Sequence, residues 1–235
     1  MAKITTIGLD ADDTLWHNER VFRLTHDRFC DLLSNYIDAA CVEDRLLQVE
    51  RKNLRLYGYG VKGFTLSLME TALELTDGAI DGRGMKQILA WSREMLSHPV
   101  EPLPHVRDAL IALEDEFQLV LITKGDLFDQ ERKFAESGLA DYFTGVEVVS
   151  EKTAASYQQI FERYGQGAER AVMVGNSMKS DVLPMLDAGG WAVHVPYEIT
   201  WALELADDPE NAERFRRISH LGELSTLLSD IRSRE

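Results

Sequence analysis

Apolar residues change their spacing twice along this sequence. Residues 4–9 form a short β-rich run that ends at an acidic segment, residues 10–13. From residue 16 to residue 98 the apolar positions recur at the spacing of amphipathic helices, and no strand-like run interrupts them. Pro99, Pro102 and Pro104 then mark a stiff linker. The pattern predicts one strand, a block of helices and a connection to a third region.

In the third region, short apolar runs alternate with amphipathic segments. Strands are predicted at residues 117–123, 146–149, 171–175 and 191–195, and helices at 127–137, 154–164, 178–188 and 221–231. Such alternation is typical of an α/β fold with a doubly wound parallel sheet. Because the helical block interrupts it after the first strand, we expect an inserted all-helical cap domain, residues 16–98. The core domain then comprises residues 1–15 and 99–235.

The charge balance limits the classes of partner. The chain of 235 residues carries 40 Asp and Glu against 25 Lys and Arg, a formal charge of −15. Such a surface repels phosphate backbones and anionic lipids, so we expect no nucleic acid polymer and no membrane as partner. The sequence also lacks a long apolar run and a secretory signal pattern, from which we expect a cytoplasmic protein.

Polar residues with chemical potential follow the predicted strands. They are Asp10 and Asp12 after the first strand, Thr123 after the second, Lys152 after the third, and Asn176 and Asp181 after the fourth. In doubly wound sheets, ligands bind outside the carboxyl ends of the strands. Carboxylates packed together repel unless a cation lies among them, and a set of oxygen ligands without His or Cys favours Mg²⁺. Mg²⁺ leaves positions for phosphate oxygens, which Thr and Lys side chains also bind, so the residues point to phosphoryl chemistry.

These segments resemble the ordered motifs of the haloacid dehalogenase (HAD) superfamily. The resemblance rests on the sequence from Asp10 to Leu15, on Thr123, on Lys152 and on the sequence from Gly175 to Asp181. It extends over nearly the whole chain and includes the helical insertion, where that superfamily often has a cap. It implies a Rossmann-like core and Mg²⁺-dependent phosphoryl transfer through an aspartyl-phosphate.

The resemblance also implies a role for each matching residue. Asp10 resembles the nucleophile that attacks phosphorus, and Asp12 the general acid and base. Thr123 corresponds to the residue that hydrogen-bonds the phosphoryl group, and Lys152 to the cation that neutralises its charge.

The metal ligands implied by the resemblance are Asp10, Asp12 through its carbonyl group, Asn176 and Asp181. Asn176 departs from the pattern, because many relatives have Asp at this place. A neutral amide attracts Mg²⁺ less strongly, so we expect weaker metal binding or greater reliance on Asp181. A degenerate, non-enzymatic member acting as a binding protein remains an alternative on this ground.

Asp12 separates reaction types within the superfamily. Haloacid dehalogenases proper and phosphonoacetaldehyde hydrolases usually lack this second Asp. Its presence favours a phosphatase, a phosphoric monoester hydrolase that acts on a small phosphorylated metabolite. A phosphomutase shares the aspartyl-phosphate and remains an alternative.

Trp16, Arg55 and Lys62 are candidate substrate contacts. The identity of the substrate and the choice between monomer and homodimer stay open.

A receiver domain of a signalling pathway is the alternative from another class. Receivers also combine an acidic cluster, a Thr or Ser and a Lys at the strand ends of a parallel sheet. They are about half as long as this chain and have no helical insertion, and their phospho-acceptor does not follow the first strand. The length and the position of Asp10 therefore favour the enzyme.

Overall fold

A parallel β-sheet organises the larger part of the molecule. The computed structural model describes residues 3–210 and 213–233. Within these residues the sheet has six strands in the order β3-β2-β1-β4-β5-β6, and each neighbouring pair is parallel. The strands are β1 (Thr6–Leu9), β2 (Gln118–Lys124), β3 (Gly145–Val149), β4 (Ala171–Gly175), β5 (Trp191–His194) and β6 (Phe215–Arg217).

The described part of the chain divides into two compact units. The core unit contains the residues up to Glu19, Val100–Lys124 and the residues from Gln130 onward, and the helical unit contains Arg20–Pro99 and Gly125–Asp129. The helices, in chain order, are α1 (Glu19–Leu33), α2 (Ala39–Tyr57), α3 (Val61–Leu75), α4 (Gly82–Leu96), α5 (Val106–Leu113), α6 (Leu127–Ser137), α7 (Ala154–Tyr164), α8 (Leu183–Asp187) and α9 (Leu224–Ser233). None of the helices in the described residues is long and apolar enough to cross a membrane.

Helices cover both faces of the sheet in the core unit. Ile7 and Leu9 of β1 pack in one apolar cluster with α5 and α9, and Ile122 of β2 packs in another with α7. Burial on both faces explains why the strands are apolar runs rather than alternating sequences. At Gly8 a Cβ atom would lie 2.7 Å from Ile122 Cδ1, so any side chain here would force the packed side chains of this face to move. The predicted doubly wound α/β architecture is thus confirmed.

The helical unit has its own apolar interior. Phe29 of α1, Leu46 of α2, Leu68 of α3 and Ile88 of α4 are almost completely buried in one cluster. Each helix presents its apolar stripe to the others, which is how amphipathic helices stabilise one another.

The segment after β4 differs from the single helix predicted at residues 178–188. Residues Met178–Val182 form a π-helical turn, and α8 begins only at Leu183. Pro184 has no N–H group to donate to the carbonyl group of Ser180. The hydroxyl group of Tyr157 donates to that carbonyl instead, at 2.9 Å. The proline thus explains the irregular turn, a form that is frequent at functional sites.

Candidate active site

The acidic segment after β1 begins at a fixed point of the sheet. The backbone N–H of Asp10 donates to Val174 O of β4 at 2.9 Å, which anchors the residue at the carboxyl end of two strands. Asp13 then adopts a positive φ of 62°. Its carboxylate accepts from the backbone N–H of Asn18 at 2.8 Å and from that of Glu19, so it caps the start of α1. Asp13 thereby shapes the segment in which Asp10 and Asp12 lie.

A buried ion triad occupies the centre of this edge. Lys152 Nζ donates to Asp10 Oδ1 and, at 2.7 Å, to Asp181 Oδ1. Burial raises the pKa of Asp10 to about 7, helped by the charge of Asp181 and opposed by Lys152. Burial disfavours the charged form of Lys152, but the two carboxylates outweigh it and raise the pKa of the amine. Lys152 therefore stays positively charged beside the candidate nucleophile.

Asn176 brings further oxygen atoms to Asp10. One atom of its amide lies 3.2 Å from the Asp12 carbonyl oxygen and 3.2 Å from Asp10 Oδ2. Thr14 Oγ1 donates to the same Asp10 oxygen at 3.2 Å. If the amide nitrogen faces this place, it donates to both oxygens. If the amide oxygen faces it, Thr14 Oγ1 donates to that oxygen at 3.3 Å, and three oxygen atoms converge in a donor set that fits Mg²⁺.

Both carboxylate oxygens of Asp181 accept hydrogen bonds, which the sequence did not indicate. Its Oδ1 accepts from Lys152, and its Oδ2 accepts from the backbone N–H of Ser177 at 2.9 Å. A side chain at Gly175 would overlap the Asp181 carboxylate, so glycine is required for this approach. The structure thus brings Asp10, Lys152 and Asp181 together through direct hydrogen bonds.

Thr123 lies at the end of β2, the neighbour of β1. The register pairs Leu9 with Leu121, which places Thr123 level with the acidic segment. Its side chain is buried, and its hydroxyl donates to Lys124 O at 3.3 Å. The hydroxyl is thus held at the strand end where the resemblance implies contact with a phosphoryl group.

The carboxylate of Asp12 is bound by side chains that the sequence analysis did not connect to it. Trp16 Nε1 donates to Oδ1 at 2.7 Å, Lys133 Nζ to Oδ1 at 2.6 Å, and Gln130 Nε2 to Oδ2 at 2.8 Å. Trp16 was expected to contact substrate. Instead its ring is 0% exposed and its polar atom binds Asp12, which leaves no surface of the ring open to a ligand.

Glu204 is another residue of the site that the sequence did not indicate. Its carboxylate accepts from Lys124 Nζ at 2.7 Å, from Ser177 Oγ at 2.6 Å and from the Ser180 hydroxyl. Burial acts to raise the pKa of Glu204, but Lys124 and the two hydroxyl groups outweigh it and lower the pKa. Glu204 thereby holds the π-helical turn that carries Asp181.

The other expected substrate contacts lie in the helical unit. Arg55 is exposed on α2. Lys62 Nζ lies 2.9 Å from each oxygen of Asp126 and 6.0 Å from the ring centre of Phe128. Lys62 is thus already paired with a carboxylate of its own unit.

Comparison with known proteins identifies relatives of this chain. The family model described as haloacid dehalogenase-like hydrolase matches residues 4–189. A crystal structure of a HAD-like hydrolase from Xanthomonas campestris is 38% identical, with 100% of both chains covered and a TM-score of 0.87. A HAD hydrolase from Bacillus subtilis, whose structure has bound magnesium, is 16% identical over 97% of this chain and 99% of its own, with a TM-score of 0.67; it shows the fold alone.

A more distant relative carries a named activity. The glyceraldehyde 3-phosphate phosphatase of Methanothermobacter thermautotrophicus is 32% identical over 109 residues. The match covers 44% of this chain and 48% of that protein, so the chain spans about half the length of this relative. The family match covers most of the chain, and the neighbour from Xanthomonas campestris covers all of it. This chain therefore belongs to the haloacid dehalogenase-like hydrolase family.

Proposed function

We propose that this hydrolase is a Mg²⁺-dependent phosphatase that acts on a small phosphomonoester through an aspartyl-phosphate. The observation that carries the proposal is the pair of carboxylates in different settings. Asp10 is buried against Lys152, whereas Asp12 is held by its own hydrogen-bond donors. The ammonium group of Lys152 beside Asp10 favours the charged form that attacks phosphorus, and Asp12, which lies outside that ion triad, is left to carry the proton.

In the first step, an oxygen of Asp10 attacks phosphorus and forms the aspartyl-phosphate. The bond from phosphorus to the ester oxygen breaks, its electron pair goes to that oxygen, and Asp12 supplies the proton that completes the alcohol. In the second step, Asp12 takes a proton from water as the water oxygen attacks phosphorus. The bond between phosphorus and Asp10 then breaks, and inorganic phosphate leaves.

Lys152 and Thr123 support the charge that builds up in these steps. The Lys152 ammonium group already contacts Asp10, so it lies where the phosphoryl oxygens would come. We assign the Thr123 hydroxyl to one of those oxygens. Asp181 holds the ammonium group in place through its 2.7 Å hydrogen bond.

Asp10, the Asp12 carbonyl group and Asn176 are the residues proposed to hold Mg²⁺, with Asp181 beside them. A bound Mg²⁺ would neutralise phosphoryl charge and orient the phosphate for attack. Their oxygens converge within 3.2 Å of the Asn176 amide, which supports this assignment.

Asp12 also favours phosphate esters over haloacids as substrates. A departing halide needs no proton, whereas a departing alkoxide does, and Asp12 can supply it. The phosphatase activity named for the Methanothermobacter relative supports the same reaction class, although the match to it covers only part of each protein. Arg55 and Lys62 remain proposed anion ligands, and a substrate phosphate at Lys62 would have to compete with Asp126.

Phosphate release from a panel of phosphorylated metabolites tests the proposal. We expect release by the wild-type protein with Mg²⁺, no release with EDTA, and a loss of at least about 10³-fold in Asp10→Asn because the nucleophile is gone. Asp141→Asn removes a carboxylate from an exposed position and serves as the matched control. Undiminished release by Asp10→Asn would refute the aspartyl-phosphate. Absence of release with every substrate would favour a phosphomutase or a binding protein.

A further inference from the structure

The contacts of Asp12 form a defined group, which we call the Asp12 clamp: Trp16, Gln130 and Lys133. Lys133 and Trp16 bind Oδ1, and Gln130 binds Oδ2. Because donors act on both oxygens, rotation of the carboxylate about either of its side-chain bonds breaks at least one hydrogen bond. The clamp thus selects one orientation of Asp12.

The clamp is built on rigid parts of the core unit. Gln130 and Lys133 lie three residues apart on α6, so both project from one side of the helix. They are 4% and 9% exposed, and Trp16 is 0% exposed. Gln130 Nε2 also donates to Lys124 O at 3.0 Å, and Lys133 Nζ to Asn18 Oδ1 at 3.2 Å. These additional contacts fix the donors themselves, so the orientation of Asp12 is predetermined.

Gln130 shows that the clamp is more than a way to neutralise a carboxylate. Its Oε1 is buried and has no hydrogen-bond partner among residues 3–210 and 213–233. A buried acceptor without a donor is costly, and such atoms mark places where a water or a ligand group binds. The amide is thus held towards Asp12 although its own acceptor stays unsatisfied, which points to a role beyond packing.

We propose that Lys133 and Gln130 are positioning residues that orient Asp12 for proton transfer to the leaving group. The inference rests on the proposed phosphatase function and adds residues of α6 to it. Lys133 acts through Asp12 and needs no contact with the phosphate. Its loss should therefore impair the proton transfer and leave nucleophilic attack by Asp10 largely intact.

Leaving-group dependence distinguishes this role from a structural one. In 4-nitrophenyl phosphate the leaving group departs readily without a proton, whereas in phenyl phosphate it is a phenol with a pKa of about 10 and benefits from one. The ratio kcat/KM covers the steps up to departure of the leaving group. Lys133→Met should lower kcat/KM about 10- to 100-fold for phenyl phosphate and less than about 3-fold for 4-nitrophenyl phosphate.

Three further variants control the experiment. Arg132→Met removes the same charge one residue earlier on α6, where the side chain pairs with Glu136 at 2.6 Å, and should leave both substrates unaffected. Lys133→Arg keeps the cation and should restore most of the activity towards phenyl phosphate. Gln130→Leu removes the contact at the other oxygen and should reproduce the selective loss, which keeps the test valid if Lys133→Met does not fold. An equal loss with both substrates, or no loss, would overturn the proposal.

The Trp16 indole provides a readout that needs no activity. In a ¹⁵N-labelled protein its Nε1–H resonance, assigned with Trp16→Phe, should shift in Lys133→Met because the shared acceptor Oδ1 reorients. It should stay in place in Arg132→Met. If the wild type releases no phosphate, the proposed function fails, and this resonance alone decides whether Lys133 orients Asp12. An unmoved resonance in Lys133→Met would show that it does not.

Discussion

Replacing Lys152 by methionine tests the electrostatic logic of the site most directly. The substitution removes the ammonium group that lies between the carboxylates of Asp10 and Asp181. The side chain of Lys152 is 2% exposed, and those of Asp10 and Asp181 are 10% and 1% exposed. Solvent therefore cannot replace the lost charge, and two carboxylates remain buried without their counter-ion.

The expected effect is large. Removing one partner of a buried ion pair costs about 3–5 kcal/mol, because the other charge is left without compensation. For a chain of 235 residues, each kcal/mol shifts the melting temperature by about 2–4 °C. Lys152→Met should therefore melt about 6–20 °C below the wild type. The same loss should raise the pKa of Asp10 further above its ordinary value.

Thermal unfolding in EDTA is the appropriate assay, because a divalent cation would partly replace the missing charge. Lys62→Met is the control, since its ion pair with Asp126 is exposed and worth less than about 1 kcal/mol. The double variant Lys152→Met/Asp181→Asn should regain part of the lost stability, because one of the two unpaired charges is gone. A melting temperature within about 2 °C of the wild type for Lys152→Met would refute the reasoning.

Two further predictions concern Asn176 and Glu204. Asn176→Asp adds a charge to the proposed ligand set and should tighten Mg²⁺ binding about tenfold in isothermal titration calorimetry; unchanged affinity would remove this amide from the metal site. Burial opposes ionisation of Glu204, but Lys124 and two hydroxyl groups hold its pKa below the ordinary 4.5. A lowered folded-state pKa stabilises the fold above the unfolded-state pKa and loses that effect as the pH falls through the folded-state pKa. The melting-temperature gap between the wild type and Glu204→Gln should therefore be full at neutral pH and narrow as the pH falls through the folded-state pKa; a gap independent of pH would contradict this.

Strands β1, β2 and β4, which precede most of the proposed site residues, were predictable because they are buried on both faces. Their apolar runs stand out against polar flanks, and the residue after each run then marks the strand end. β6 was missed because Phe215 is the single apolar residue among its three. The prediction also lacked α5, although Val106, Ala109, Leu110 and Leu113 follow the helical spacing and are buried.

Part of the candidate site could not be predicted because its contacts join residues that lie far apart in the sequence. Gln130 and Lys133 look like ordinary polar residues of an amphipathic helix, and they lie 118 and 121 residues from Asp12 in sequence. Only the packing of α6 in the core unit brings them to that carboxylate. The burial of Trp16 could not be predicted for the same reason, because it depends on neighbours that the sequence does not place. Glu204 lies outside every motif and reaches the site through the loop after β5.

The position of β1 also affects how the protein is made. Thr6 pairs with Gln118 on one side and with Ala171 on the other. Strand β1 therefore cannot pair with both neighbours until most of the chain has been synthesised. At about 5–20 residues per second, ribosomes need roughly 10–30 s to proceed from β1 to the end of β4. Residues 20–99, in contrast, can begin to pack on one another as soon as they emerge. The segment at residues 4–9 thus stays without its partner strands during most of synthesis, and the sheet can close around it only late.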